Sequence, residues 1–225
     1  MRRAVEKVDL AAPGGVPPRV AAAVMDQAEW ADEDVVVEYL AGVLASSRTP
    51  DAKDDAGVSW VALIGRLSSL EIRMHYVLYA ALRQKVEGAK VDGYFEWTRR
   101  GVLVDVLPFL NALGIDKTHI ANARFLHPAH TLQREGLLTD LTYGSRHYLE
   151  TDVVWTKGRV LPEGAFFVHF KPSVDGIALF LAGLGVGDQW YTYLSEPELS
   201  SKLMDDESGE LAIPIHFIDE LARKN

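Results

Sequence analysis

Two histidines, His127 and His130, stand three residues apart, with His119 and His147 nearby in the chain. On a helix, imidazoles at i and i+3 share a face and present two nitrogen ligands to zinc. A third ligand would then come from Glu135 or His147. The alternative reading starts from Pro128. A residue before proline is steered away from helical backbone, so His127 belongs to the turn that enters a helix and His130 to its exposed face. Glycine-rich and nucleophilic chemistry find less support. Gly183-Leu184-Gly185-Val186-Gly187 follows a helical pattern rather than a strand, and no Lys-Ser or Lys-Thr comes after it. That string reads as a helix stop, not a phosphate loop. No Gly-x-Ser-x-Gly elbow is present, and the adjacent residues of Ser145-Arg146-His147 point apart on a strand. The acidic groups Asp51, Asp54, Asp55 and Asp205, Asp206, Glu207 lack the spacing of a calcium loop and read as solvated turns.

Two further groups point to contact rather than catalysis. Thr156-Lys157-Gly158-Arg159 puts two cations beside a glycine. At the tip of a β-hairpin such a group reaches phosphates or the minor groove. His130, Gln133 and Arg134 would then face the major groove of duplex DNA. Glu135 opposes phosphate, and the same four tip residues suit an ordinary solvated turn. Trp190-Tyr191-Thr192-Tyr193 is the second group. On an extended strand Trp190 and Thr192 share one face while Tyr191 and Tyr193 share the other. One face then covers the core and the other meets a partner. The candidate contact residues are therefore Lys157, Arg159, Trp190, Tyr191 and Tyr193. Trp60 and Trp97 fall in helical patterns and read as core.

Composition narrows the partners. The chain of 225 residues carries 23 Lys and Arg against 32 Asp and Glu, a formal net charge of -9. Broad nucleic-acid binding requires cations that displace counterions from phosphate, so this balance favours a protein partner or self-association over bulk nucleic acid. There is no cysteine, which excludes disulfides, thiolate metal sites and thiol nucleophiles together. The longest apolar stretch, 176–186, contains glycines and is too short for a membrane span. Arg2 and Arg3 are not followed by an apolar segment, so no secretory signal is expected, and a cytoplasmic protein is.

The elements that must hold these groups follow from periodicity and punctuation. Residues 1–17 form a lead-in broken by Pro13, Gly14, Gly15 and Pro17. Pro18 suits the first turn of a helix through Val20 and Val24. Asp32 or Asp34 caps a second helix carrying Val36, Val37, Tyr39, Leu40, Val43 and Leu44. Residues 58–67 give a short third helix. Ser68 and Glu71 form a capping-box pattern ahead of Leu70, Ile72, Met74, Val77, Leu78, Ala81 and Leu82. That helix should lie at the centre of a helical bundle. Residues 94–113 read as mostly helix, and Thr118 caps a short one. The stretch 126–184 then changes character. It reads as a helix over 128–135 stopped by Gly136, a hairpin pairing 148–155 with 165–170, and a closing helix from Ser173 to Gly183 or Gly185. Beyond it, 190–194 reads as extended, 196–203 as a short helix and 217–224 as a terminal helix. The expected fold is α+β, mostly α: a helical domain over 18–114 packed on a winged-helix-like half over 115–187, with an extension over 188–225.

Several segments together resemble the Abi-alpha family, bacterial proteins associated with abortive infection by phage. The resemblance runs through the Pro-Pro start and the run Glu38-Tyr39-Leu40-Ala41-Gly42-Val43-Leu44-Ala45-Ser46-Ser47 within 16–47. It continues in Leu67-Ser68-Ser69-Leu70-Glu71 and in Leu132-Gln133-Arg134-Glu135-Gly136-Leu137-Leu138. It closes on Lys171-Pro172-Ser173-Val174-Asp175-Gly176, covering roughly 16–185. The resemblance implies a role in phage defence and carries no catalytic residue to this chain. The expectation is a non-enzymatic sensor or interaction protein without a cofactor. The alternatives are a winged-helix DNA-binding regulator and a metal-dependent hydrolase using His127 and His130.

Overall fold

Helix α1 (Pro18–Ala28) begins on Pro18, whose missing N–H interrupts nothing in a first turn, and buries Val20 and Val24. The computed structural model describes residues 14–90, 93, 95–116, 125–199 and 213–224. Helix α2 (Asp34–Ser46) follows, with Asp34 in its first turn rather than as its cap. Helix α3 (Gly57–Ile64) is short. The capping box predicted for α4 (Ser69–Val86) is formed: Ser68 Oγ accepts from Glu71 N at 3.3 Å, and the Glu71 carboxylate accepts from Ser68 N at 2.7 Å. Residues around the whole circumference of α4 are buried, Ile72, Met74, Val77, Leu78, Ala81 and Leu82 among them, whereas Leu70 is half-buried. It is the central helix that its sequence announces.

The expected helix over 94–113 is instead three elements. Helix α5 (Glu96–Arg99) is one turn, β1 spans Val102–Asp105, and α6 spans Val106–Ala112. Val102, Leu103 and Val104 are all fully buried, so β1 shows no polar alternation. A short apolar run of this kind cannot be told from helix by periodicity. Asp105 then caps α6, its Oδ1 accepting from Leu107 N at 2.9 Å.

Helix α7 (Leu126–Arg134) starts before Pro128 and so includes His127. Pro128 still lies in the first turn, where no N–H is required. Gly136, at φ +76°, ends it as predicted. Strand β2 spans Leu138–Ser145, helix α8 Arg146–Thr151, and strand β3 Phe166–Pro172. The upstream arm of the hairpin is therefore 138–145, not 148–155. Ser145 is an N-cap, its Oγ accepting from Tyr148 N at 3.3 Å, and it turns the following residues into α8. Helix α9 (Val174–Leu184) opens on the Ser173 hydroxyl, which accepts from Gly176 N at 2.9 Å, and closes on left-handed Gly185. Both ends agree with the sequence.

Past α9, Tyr191–Ser195 is a 3-10 turn rather than a strand. Residues 196–199 are turn, not helix. The expected terminal helix is replaced by β4 (Ile215–Phe217) and a 3-10 turn, Ile218–Glu220. Thr118, His119 and the acidic group Asp205, Asp206, Glu207 lie outside the described residues.

The strands form one antiparallel sheet in the order β2-β3-β1-β4. Leu103 opposes His169 and His216, while Val104 opposes Val168 and Ile215. The sheet takes one strand from 18–114, two from 115–187 and one from 188–225. Its two faces differ. Val102, Val104, Val168, Phe170, Ile215 and Phe217 join the large core with the helices. Leu103 and Phe167 face the other way, beneath Leu149, Val153, Leu161 and Ile218. The fold among the described residues is thus α+β, a four-stranded antiparallel sheet with the large helical core on one face and the short helix α8 on the other. On the helical side, α2 and α9 meet backbone to backbone. A Cβ on Gly42 would lie 1.8 Å from the Gly183 carbonyl oxygen.

Candidate functional site

The basic group at 156–159 is a turn, with Gly158 at φ +73°, but it is not the free end of a hairpin. The insert between β2 and β3 folds back over the outer sheet face, where Leu149, Val153 and Leu161 are buried. The C-terminal residues strap it down. Val160 N donates to Ala222 O and Lys224 N donates to Gly158 O, both at 2.8 Å. Arg159 Nη1 donates to Leu221 O at 2.8 Å. One of the two predicted tip cations is therefore spent on the strap, while Lys157 remains exposed. Glu150 organises the same corner. It accepts from Lys224 Nζ at 2.5 Å, from Arg146 Nε at 2.9 Å and from Leu161 N at 3.2 Å. The bond from Lys224 and then that from Arg146 hold its carboxyl down at about 2. The insert also shows apolar groups to solvent: Val154 is 83% exposed, and beside it Trp155 lies under Lys171, whose Nζ is 3.8 Å from the ring centroid.

Helix α7 presents a narrow polar strip. His127, His130 and Arg134 are exposed, Gln133 is half-buried, and Pro128, Ala129, Thr131 and Leu132 are buried. The i, i+3, i+7 spacing aligns the three exposed residues on one face. The His130 ring stands edge-on to Tyr143 of β2, 5.8 Å between centroids. Glu135, one of the two third ligands considered, is paired instead with Arg66 at 3.0 Å and with Arg134 at 3.7 Å. Among the described residues no three His, Cys, Asp or Glu side chains come together as a metal site. The acidic groups near residue 51 are engaged by the loop backbone and by α1. Asp51 and Asp54 accept backbone N–H groups from Lys53 and Ala56, and Asp55 pairs with Arg19.

Trp190 to Tyr193 do not divide between two strand faces, because Tyr191 to Tyr193 lie in the 3-10 turn and Trp190 precedes it. Trp190 is 67% exposed, and Tyr191, Thr192 and Tyr193 are half-buried. The structure adds a residue that the sequence reading missed. Phe95, half exposed at 50%, stacks on Tyr191 with centroids 5.7 Å apart and planes 27° apart. Trp190 stands nearly perpendicular to Tyr191, at 79° and 6.3 Å. The distance between Phe95 and Tyr191 in the chain leaves no local signal for this pairing. Beneath the turn, Arg83 is 2% exposed and its Nη2 donates to Glu196 O at 2.7 Å and Leu199 O at 3.0 Å. A buried guanidinium thus fixes the backbone that carries this surface.

Two histidines, His75 and His169, are fully buried. His75 Nε2–H donates to Gly176 O at 3.0 Å, which leaves Nδ1 to accept from the Tyr39 hydroxyl at 2.7 Å. Burial lowers its pKa to about 3 and raises that of Tyr39 well above the ordinary tyrosine value. Next to it the Tyr79 hydroxyl donates to Leu137 O at 2.6 Å and accepts from Ser173 N at 3.1 Å. Burial lowers His169 to about 4. Its Nδ1 lies 3.2 Å from Thr142 Oγ1, and its Nε2 is buried with no partner among the described residues. A Cβ on Gly101 would lie 2.6 Å from that Nε2, so glycine is what lets the imidazole fit. All these groups are buried inside the fold, where they join elements. Among the described residues no helix is long and apolar enough to cross a membrane. No protein-family model, no curated protein and no solved structure matches the chain.

Proposed function

We propose that this chain is a non-catalytic contact protein built around a winged-helix-like unit, serving as a sensor or interaction protein in bacterial phage defence. The observation that carries the architectural part is the order α4, β1, α6, α7, β2, insert, β3, with only the single turn α5 between α4 and β1 and with β3 paired to both β1 and β2. A winged helix has this connectivity: its first strand joins the sheet beside the strand that follows the wing, and the helix before the second strand is the one displayed. Here that helix is α7. The N-terminal helices and β4 are additions packed around the unit. Such a scaffold commonly binds, and fold alone does not assign what it binds.

The defence role rests on the Abi-alpha resemblance, and with it a bacterial cytoplasmic setting. A protein partner fits better than bulk nucleic acid because the net charge is -9 and Arg159 is held by the strap. The contact surface is the exposed aromatic group at Trp190, Tyr191 and Phe95. The test is phage plating on bacteria that carry or lack the chain. The proposal expects fewer plaques when it is present; equal plating across a broad phage panel would count against it.

A second reading is favoured by one observation. His127, His130 and Arg134 emerge from one side of α7, the helix that a DNA-binding winged helix lays in the major groove. As a regulator the chain would bind duplex DNA with a salt dependence set by few phosphate contacts. Absence of binding at low salt would dispose of this reading.

A further inference from the structure

We infer that the Phe95–Tyr191–Trp190 surface docks a lysine- or arginine-bearing segment of a partner protein; this rests on the contact reading above and names the chemistry of the partner. Three observations converge. Trp190 and Phe95 are among the most exposed large apolar residues described, and both rings are ordered against Tyr191. Large aromatic faces that are exposed and already positioned attract cations through their ring quadrupole. The second observation is charge. Residues 186–199 contain Asp188, Glu196 and Glu198, all exposed, and no lysine or arginine. The third is rigidity. Arg83, itself buried, holds the carbonyls of Glu196 and Leu199, so the acidic stretch is anchored from below while its carboxylates stay in solvent. A preordered surface loses less freedom when it binds.

The same charges argue against a second copy of this chain as the occupant. Two acidic surfaces would meet like to like, within a molecule whose net charge is -9. A cationic peptide satisfies both the ring faces and the carboxylates. Trp30, 79% exposed but on α1's side of the molecule, provides an internal control.

The test uses the full chain and three probes: an unstructured Lys-Arg-Gly peptide, the same peptide with Glu at every Lys and Arg, and spermidine. Binding is followed by anisotropy of the labelled peptides and, for spermidine, by calorimetry. The expected result is saturable binding of the basic peptide alone. Trp190→Ala should weaken it about ten-fold, and Glu196→Gln with Glu198→Gln about five-fold at low salt. Trp30→Ala should change nothing. Binding of the acidic peptide, spermidine affinity equal to that of the basic peptide, or unchanged affinity in a folded Trp190→Ala would overturn the inference. Loss of phage restriction in Trp190→Ala without any peptide binding would overturn it too, while leaving the contact reading standing. Concentration-dependent dimerisation abolished by Trp190→Ala would assign the surface to self-association instead.

Discussion

Acid should unfold this protein earlier than its carboxylates alone would require. His75 and His169 are held neutral, with pKa values lowered by burial to about 3 and about 4. In the unfolded chain both return to about 6.5. Between those limits the unfolded state binds more protons than the folded one, so stability falls as pH falls. Their contribution is fully present above about pH 6.5 and is lost progressively toward pH 4 and then pH 3. Each histidine adds a slope of at most about 1.4 kcal/mol per pH unit, so the pair approaches roughly 3 kcal/mol per unit near pH 5. Two units of acidification then remove several kcal/mol, a large share of the roughly 5–15 kcal/mol that holds a typical domain. Urea denaturation followed by tryptophan emission at pH 7, 6 and 5 measures this directly. His75→Gln should lower stability at pH 7, because the Tyr39 hydroxyl and the Gly176 carbonyl lose their partner, and should also flatten the pH slope. A urea midpoint that does not move between pH 7 and 5, or a His75 NMR titration near 6.5, would refute the reasoning.

Three further perturbations probe separate parts of the fold. Leu78→Ala removes a side chain that is 3% exposed in the central helix and should cost about 2–5 kcal/mol in denaturant unfolding; a loss below about half a kcal/mol would misplace α4. Lys224→Ala should release the strap at Glu150 and speed amide exchange across residues 146–161, with α4 unchanged. In gel-shift titrations at low salt, the DNA reading expects His130→Ala with Arg134→Glu to weaken duplex binding more than Lys157→Glu does, since two groups of the displayed helix are lost against one exposed cation of the insert.

Much of the helical architecture was legible because its signals are local. Pro18, the Ser68–Glu71 box, Gly136, Ser173 and Gly185 each act within a turn of their own position, and each sits where its chemistry requires. The sheet was harder. β1 is buried on both faces, so its Val-Leu-Val run has no period to read. Ser145 reads as one more strand residue, yet its hydroxyl caps α8. β4 is three residues long and exists through its pairing with β1, far away in the chain. The candidate site divides in the same way. Gly158 correctly marked a turn, whereas strand alternation over 190–193 left open which ring is exposed, and the segment is a 3-10 turn in which Trp190 is. The strap over Arg159 and the stacking of Phe95 on Tyr191 are contacts between distant segments, and neither leaves a local trace.

The proposed function places contact at the aromatic surface and no chemistry at the α7 histidines. Phage plating on cells expressing Trp190→Ala or His130→Ala, both shown to be folded and equally abundant, tests it most directly. Protection should be lost with Trp190→Ala and kept with His130→Ala. Protection lost with His130→Ala and kept with Trp190→Ala would contradict it.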